Sequence, residues 1–252
     1  MPDLSVVIPA RNEELRLPQT LARLAAFAGQ FAGELEVLVV DDHSDDNTQA
    51  TALRLSDRLN LMTLSCPERG PGAAMRHGLA HARADRLMLC DADGPVPFEE
   101  IRTLSEAIDA GADIAAGSRL VGARRRPARP LQRRILARGF RLVRNAIAPT
   151  SVLDTQCGFK MMRRTALNTV LPHTVLNGFV FHVELLAWAQ RLGFRVDEVG
   201  VPWRDVPGSS IHPIRDPIRM SVQLMRLRAS LNRRRNSDLS TSDRTHPQRS
   251  MP

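Results

Sequence analysis

Two aspartates at the end of an apolar run are the residues of this sequence best suited to chemistry. They are Asp91 and Asp93 in the stretch LMLCDADGPVP (87–97), where the hydrophobic segment ends at Cys90. Two carboxylates this close repel each other unless water or a cation lies between them. Such a pair on a loop can share a hard divalent cation, Mg²⁺ or Mn²⁺, that also contacts phosphate oxygens. The structural alternative is a turn in which one aspartate caps the next helix.

Polar residues also follow two earlier apolar segments. Arg11 and Glu13 come after LSVVIPA (4–10), and Asp42 ends ELEVLVVDD (34–42). If these segments are parallel strands of one sheet, the loops meet at its carboxyl edge, where such folds bind ligands. Together the loops offer an acceptor for a base, hydrogen bonds for a ribose and a cation site for a pyrophosphate. The pattern is consistent with a site for a nucleoside diphosphate.

Strand and helix patterns alternate along the first half of the chain, and this alternation positions the loops. Apolar runs at 4–10, 34–42, 60–65 and 86–93 are typical of strands, and segments with helical periodicity separate them. The alternation predicts an α/β fold with a Rossmann-like, doubly wound, mostly parallel sheet. Further elements are predicted as a strand at 113–118, a buried helix at 180–193, a strand at 195–201 and a basic helix at 213–231.

Composition limits the class of protein. With 252 residues, 43% of them hydrophobic, the chain can bury the core of a large domain. Cys66, Cys90 and Cys157 are far apart and odd in number, which argues against a disulfide framework or a zinc site. No segment has the pattern of a signal peptide or a membrane span. The expected location is therefore the cytoplasm, with any membrane contact peripheral.

The net charge of +8 is concentrated in two arginine-rich segments, at 119–147 and 215–235. The first contains no acidic residue, and apolar residues recur in it at helical spacing at Leu136, Phe140, Val143 and Ile147. This spacing predicts a basic amphipathic helix that can lie on an anionic membrane surface. The alternative is a helix that packs its apolar stripe on the domain core and leaves its arginines in solvent.

An ordered set of motifs runs through the chain: SVVIPARNEE, LVVDDHSDDNT, RGPGAAMRHG, LMLCDADG, GSR, DTQCGFKMM, FHVELLAWAQRLG and VPWRDVPGSS. This set resembles the family 2 inverting glycosyltransferases of GT-A fold. Within that family it is most similar to the dolichyl-phosphate glucosyltransferase branch, and it covers residues 4–225. The resemblance implies a single GT-A domain over 1–235 with amphipathic helices towards its C-terminus. The polar segment 236–252 is predicted to be a disordered tail.

The resemblance also implies roles for residues at matching positions. The expected nucleotide-sugar-binding residues are Pro9, Arg11, Glu13, Asp42, Asp91, Ala92 and Asp93, of which Asp91 and Asp93 bind Mg²⁺ or Mn²⁺. The expected acceptor-binding residues are Arg119, Asp154, Gln156, Glu184 and Arg204. Asp93, Arg119 and Asp154 are the expected catalytic residues. Structural alternatives are a turn cap for Asp154, a surface charge for Arg119 and an ion pair with an arginine for Glu184.

Several positions depart from the family pattern. Arg11 replaces an aromatic residue, His43 a glycine, Pro71 a basic or small residue, His182 an aspartate and Ser210 a lysine. The first three lie in the nucleotide pocket and bear on the identity of the donor. The change at Ser210 removes a positive charge that would hold phosphate, unless Arg204 or Arg215 takes its place.

The resemblance implies transfer of a hexose, glucose in the branch named above, from UDP-glucose to a polyprenyl phosphate. A phosphate monoester carries about −1.5 to −2 charges at neutral pH, so its oxygen can attack without a general base. In-line displacement would invert the anomeric carbon. The enzyme is expected on the inner face of the membrane, bound peripherally to its anionic surface.

Two alternatives remain open. A soluble hydroxyl acceptor would require a general base, and Glu184, Asp154 or His182 would be the candidates. A nucleic-acid-binding module would use the arginine clusters but leaves the carboxylate loops unexplained. The chain has no tyrosine to stack on bases, so no nucleic-acid partner is expected.

Overall fold

A computed structural model describes residues 1–56, 59–122, 139, 141–204 and 215–242. Within these residues a seven-stranded sheet carries helices on both faces. The strands are β1 Leu4–Ala10, β2 Leu35–Asp41, β3 Asn60–Ser65, β4 Arg86–Leu89, β5 Ile114–Ser118, β6 Lys160–Arg163 and β7 Val196–Gly200. The helices with defined bounds are α1 Leu17–Ala28, α2 Thr48–Leu53, α3 Pro71–His81, α4 Glu100–Asp109, α5 Arg164–Val170, α6 Phe181–Arg191 and α7 Arg215–Ser242.

The strands lie in the order β3-β2-β1-β4-β6-β5-β7. Neighbouring strands are parallel except at β6, which runs antiparallel to both β4 and β5. The predicted α/β fold with a mostly parallel, doubly wound sheet is confirmed. Because β1 lies between β2 and β4, the loops that follow these three strands meet at one edge of the sheet.

The central strands are buried on both faces because they are almost wholly apolar. β1 and β2 are buried along nearly their whole length. Successive residues of a strand point to opposite faces, so Val6 and Ile8 pack with α1 and α4 while Val7 packs with α3 and α6. Two apolar layers therefore hold the sheet and fix the loops at its carboxyl edge.

β6 and α5 are absent from the elements predicted above. The four residues of β6, KMMR, are too few to show a periodic pattern. Lys160 pairs with Leu89 of β4 and with Ala116 of β5. Because β6 is antiparallel, the loop before it (154–159) lies at the same edge as the loops that follow the parallel strands. The reversal therefore brings a second set of residues to the site.

The C-terminal part of the chain adds a small apolar cluster. Residues 141–147 are helical, and the segment that follows them packs with α6 and α7 through Ala148, Leu176, Val180, Val183, Leu224 and Leu227. α7 continues to Ser242, so 236–242 are helical where a disordered tail was predicted, and 243–252 lie outside the described residues. Among the described residues, no helix is both long and apolar enough to cross a bilayer.

Most of the predicted basic helix over 119–147 lies outside the described residues, which omit 123–138 and 140. Within 141–147, Val143 is exposed and Ile147 packs against the apolar cluster. Arg144, in the same segment, is not in contact with solvent. It is 1% exposed, and its guanidinium donates to the backbone carbonyls of 150, 152 and 153 at 3.3, 3.0 and 3.3 Å. Arg144 therefore holds the chain that leads into the 154–159 loop.

Candidate active site

The loops after β1 and β2 are joined by hydrogen bonds between their polar residues. The backbone NH of Glu13 donates to Thr48 Oγ1 at 2.8 Å, and the NH of Asp45 donates to Asn12 Oδ1 at 2.8 Å. Asn12 and His43 have positive φ angles of 54° and 55°. Few residue types adopt this conformation, which explains why the family pattern has glycine at the position of His43. These contacts fix the rim of the predicted nucleotide pocket.

Asp42 is buried, and its carboxylate anchors the loop before α3. Oδ1 accepts a hydrogen bond from the NH of Gly70 at 2.7 Å, and His43 Nδ1 lies 3.5 Å from the same oxygen. Gly70 has a φ of 130°, which glycine adopts most readily. The neighbouring Asp41 has a buried Oδ1 without a partner in the described part of the chain. The base contact expected of Asp42 stays a prediction, and Asp41 offers a second acceptor beside it.

Glu13 is held by Arg16 in the loop after β1. Its two carboxylate oxygens accept hydrogen bonds from the Arg16 guanidinium at 2.7 and 2.5 Å. Burial raises the pKa of Glu13, Arg16 opposes the rise, and the charge of Asp93 adds to it. Glu13 is thus close to the predicted metal pair. Pro9 lies at the end of β1 opposite Val40, and Arg11 is exposed.

Asp91 and Asp93 follow β4 in a tight turn, with Ala92 buried between them. Burial and the charge of Asp93 raise the pKa of Asp91 to about 6, although Lys160 and Arg119 oppose the rise. Burial also raises the pKa of Asp93, against the charge of Arg16. Two partly buried carboxylates that repel each other are chemically suited to a hard divalent cation.

The pair fits a cation that is shared with a ligand. No group of three or more His, Cys, Asp or Glu side chains suited to a metal occurs in the part of the chain that the structure describes. Asp91 and Asp93 would therefore supply the protein ligands, and phosphate oxygens and water would complete the coordination. Mg²⁺ is usually bound in this way, through one or two carboxylates and substrate phosphates.

Gly158, in the loop before β6, packs against the Asp91 carboxylate. Extending the β4–β6 register from the Leu89–Lys160 pair places Gly158 opposite Asp91. A Cβ atom at position 158 would lie within 3.0 Å of three atoms of the Asp91 side chain. Glycine therefore allows the loop to approach the carboxylate, and the loop in turn fixes where the carboxylate lies.

Arg119 and Asp154 form a bidentate ion pair next to this turn. The Nε and Nη2 atoms of Arg119 donate to the two carboxylate oxygens at 2.7 Å each, and its backbone NH donates to Oδ2 at 2.9 Å. The guanidinium stacks on the Trp203 ring, 4.6 Å from its centroid. Burial opposes ionisation of Asp154, but the bonds from Arg119 outweigh it and lower the pKa of Asp154 below its ordinary value. Both groups are therefore charged at neutral pH.

Lys160 is the only lysine of the chain, and it is fully buried beside the Arg119–Asp154 pair. Its Nζ donates to the backbone carbonyls of Thr155, at 3.2 Å, and Cys157, and it lies 3.4 Å from His182 Nδ1. Burial lowers the pKa of His182 far below its ordinary value, and the charges of Lys160 and Arg119 add to this effect. His182 is therefore neutral and accepts a hydrogen bond from Lys160.

The structure does not bring Glu184 to the Arg119–Asp154 pair. Its Oε2 accepts hydrogen bonds from the backbone NH groups of 175 and 176 at 3.1 and 2.9 Å. The charged group that acts on Glu184 is Arg76 of α3. The contacts of Glu184 are thus those of a residue that fixes the 175–177 loop. That loop in turn meets the start of α3, where the NH of Gly72 donates to the carbonyl of residue 177 at 2.8 Å.

Gln156 and Arg204 lie in different segments of the chain near the site. Gln156 is in the 154–159 loop, and its Nε2 is buried without a partner among the described residues. The NH of Arg204 donates to the carbonyl of Pro95 at 2.9 Å, just beyond the two-aspartate turn. The Arg204 side chain lines a cavity of about 230 Å³ together with Arg23 and Phe98. Acceptor roles for Gln156 and Arg204 stay predictions.

Gly158, Lys160 and Trp203 are residues of the site that the sequence reasoning did not identify. The stretch DTQCGFK contains two of them, and a single lysine in a chain rich in arginine was the available signal. Their importance comes from burial and from the antiparallel register, neither of which a single sequence displays.

These features are those of a GT-A glycosyltransferase. A family profile described as "Glycosyl transferase family 2" matches residues 5–171, and the chain belongs to this family. The chain is 35% identical over 239 residues to the dolichyl-phosphate β-glucosyltransferase of Drosophila melanogaster, covering 88% of this chain and 73% of the relative. It is 31% identical over 242 residues to the human protein of the same name, covering 89% and 74%. The predicted family and enzyme class are confirmed.

Solved structures confirm the fold. The chain matches glucosyl-3-phosphoglycerate synthase from Mycobacterium tuberculosis in complex with Mn²⁺, UDP-glucose and phosphoglyceric acid, with a TM-score of 0.69. The match covers 91% of this chain and 79% of the other at 21% identity. At this identity the likeness shows a shared GT-A fold alone.

Proposed function

We propose that the protein transfers glucose from UDP-glucose to a dolichyl-type polyprenyl phosphate, with inversion and with Mg²⁺ or Mn²⁺ bound. Similarity to dolichyl-phosphate β-glucosyltransferases over most of the chain supports the sugar and the acceptor. The solved neighbour of the same fold binds Mn²⁺ and UDP-glucose, which is consistent with this donor and cation.

The observation that carries the proposal is that the carboxylates around the two-aspartate turn are already engaged. Glu13 is bound by Arg16, and Asp154 by Arg119. Glu184 binds backbone NH groups through Oε2 and has an Oε1 without a partner among the described residues, but it is not brought to the Arg119–Asp154 pair. A hydroxyl acceptor needs a general base within reach. A phosphate acceptor does not, because its oxygen is already ionised. The geometry therefore favours a phosphate acceptor over a hydroxyl acceptor.

The residues divide the work of this reaction between two sides of the site. On the donor side, Asp91 and Asp93 would hold the cation, which neutralises charge on the departing diphosphate. On the acceptor side, Asp154 and Trp203 orient the Arg119 guanidinium, a group that suits a phosphate geometrically. With the acceptor phosphate held there, its oxygen attacks the anomeric carbon from the face opposite the diphosphate. The product is a β-linked sugar phosphate.

A peripheral position on the cytoplasmic face of the membrane is part of the proposal. α7 leaves Val222 and Met225 exposed, at 51% and 58%, and carries the exposed Arg226 and Arg228 nearby. Apolar and basic side chains on one helix suit an anionic lipid interface. Sedimentation of the purified protein with vesicles that contain anionic lipid, but not with neutral vesicles, is the expected result.

Asp93→Asn tests the reaction. Wild-type protein is expected to transfer radiolabelled glucose from UDP-glucose to dolichyl phosphate in the presence of Mn²⁺, and the variant is expected to lose at least about 10²-fold in kcat. Asp109→Asn is the matched control, because Asp109 is exposed and its ion pair with Arg86 is worth little. Undiminished turnover by Asp93→Asn would remove the cation role, and absence of transfer by the wild type would remove the proposed function.

A further inference from the structure

We propose that Lys160 is a positioning residue that leaves an unneutralised positive charge on the acceptor side and thereby strengthens binding of the acceptor phosphate. This inference rests on the proposed function, because it assumes a phosphate acceptor. It concerns a residue that the acceptor does not touch, and it explains why the chain buries its only lysine at this place.

The position of Lys160 follows from the strand register. It pairs with Leu89, two residues before Asp91, and with Ala116, three residues before Arg119. The side chain is 0% exposed. Burial lowers the pKa of Lys160, and the negative charges of Asp154 and Asp91 oppose this fall. The buried ammonium acts on its surroundings more strongly than a surface lysine does, because little water screens it.

The groups that accept hydrogen bonds from Lys160 are uncharged. Two are the backbone carbonyls of Thr155 and Cys157, and the third is His182 Nδ1. The imidazole is neutral, since burial holds the pKa of His182 well below its ordinary value. The family pattern has an aspartate at this position. In this chain His182 satisfies the hydrogen bond without cancelling the charge of Lys160.

The charges of Asp91, Asp154 and Arg119 act on Lys160. Asp91 and Asp93 would be balanced by a divalent cation, and Arg119 is balanced by Asp154 through their bidentate bonds. The donor diphosphate and the acceptor phosphate both bring negative charge to the same site. Lys160 has no ion-pair partner in the described part of this cluster. Its positive charge therefore favours binding of the acceptor dianion.

Lys160 also has a structural effect, because its bonds to two carbonyls hold the 154–159 loop. A test must separate this effect from the effect of charge. His182→Asp places a carboxylate beside Lys160, and its negative charge cancels the positive charge of Lys160. His182→Asn instead keeps an uncharged hydrogen-bond acceptor at the same position. Lys160→Gln removes the charge directly.

The assay is glucosyl transfer from UDP-glucose to citronellyl phosphate, a short isoprenyl monophosphate, with KM measured for each substrate. Binding of citronellyl phosphate in the presence of UDP and Mn²⁺ is measured by calorimetry as a readout independent of turnover. His182→Asp and Lys160→Gln are each expected to raise the acceptor KM and Kd about tenfold, equivalent to about 1.4 kcal/mol. The donor KM is expected to stay within about twofold, and the acceptor KM of His182→Asn within about threefold.

Equal increases of the acceptor KM and Kd in His182→Asp and His182→Asn would overturn the inference. A change of geometry, rather than of charge, would then explain the effect of each variant. Wild-type acceptor KM in His182→Asp would overturn it as well. Should Lys160→Gln fail to fold, the two His182 variants still decide the question. A wild-type protein that neither binds citronellyl phosphate nor transfers glucose to it would defeat the proposed function itself, and this inference with it.

Discussion

Gly158→Ala is expected to damage the metal site while leaving the fold nearly intact. The added Cβ would lie within 3.0 Å of the Cγ and both oxygens of Asp91, closer than real Cβ atoms come to such neighbours. The nearest of these atoms would be 2.0 Å away. Normal van der Waals contact lies at about 3.5 Å, so either the carboxylate or the loop must move by more than about 1 Å. A displacement of about 1 Å at a reacting centre costs about 10²-fold in rate.

The metal affinity of this variant should fall as well. Residues that orient a metal ligand typically contribute about 10–100-fold to metal affinity. Unfolding stability should fall by no more than about 1–3 kcal/mol, the usual cost of overpacking. Mn²⁺ binding followed by electron paramagnetic resonance, kcat/KM for glucosyl transfer and urea denaturation measure the three effects separately.

Gly29→Ala is the matched control for this experiment. A Cβ at position 29 would meet only backbone oxygens at 3.7 and 3.8 Å, which is ordinary contact, and the residue has a helical φ of −64°. It should behave as the wild type in all three measurements. Wild-type Mn²⁺ affinity together with a wild-type turnover rate in Gly158→Ala would contradict this prediction.

Two further substitutions test ion pairs in which the carboxylate is buried. Asp154→Asn leaves the half-buried Arg119 guanidinium without its counter-charge, so the free energy of unfolding should fall by about 3 kcal/mol in urea denaturation; a loss too small to measure would contradict the assignment. Glu36 accepts hydrogen bonds from Ser5 and Arg83; burial raises its pKa, but these bonds outweigh burial and hold the pKa below its ordinary value of 4.5. Glu36→Gln should therefore lower the free energy of unfolding by about 2 kcal/mol at pH 7. The difference from the wild type should shrink as the pH falls below about 4.5, because the wild-type carboxylate then becomes protonated. A difference that is constant between pH 7 and pH 4 would show that the charge of Glu36 is not what stabilises it.

The donor half of the fold could be predicted because its signals are local. β1 and β2 are mostly apolar, and each is followed by polar residues that the structure places at one edge. Asp91 and Asp93 follow β4 directly, so the strand pattern alone locates them. For such residues, a correct prediction of the strand also predicts the position of the site residue.

The acceptor half could be predicted only in part, because its contacts are long-range. The pairing of Arg119 with Asp154 spans 35 residues, and that of Lys160 with His182 spans 22. β6 is four residues long and gave no periodic signal. Glu184 illustrates the limit: its residue type suits a catalytic base, but its burial and its bonds to backbone NH groups were not visible in the sequence.

The reversed direction of β6 has a consequence for how this enzyme can change. In the proposed reaction the loops that follow β1, β2 and β4 would face the nucleotide, and the stretch preceding β6 and the one following β5 would supply the opposite wall. The two walls come from separate stretches of chain, and among the described residues the turn of Asp91 and the loop of Gly158 are one place where they meet. Mutations that change which lipid or sugar phosphate is accepted can therefore accumulate in one stretch without disturbing recognition of the activated sugar, provided that this contact is kept.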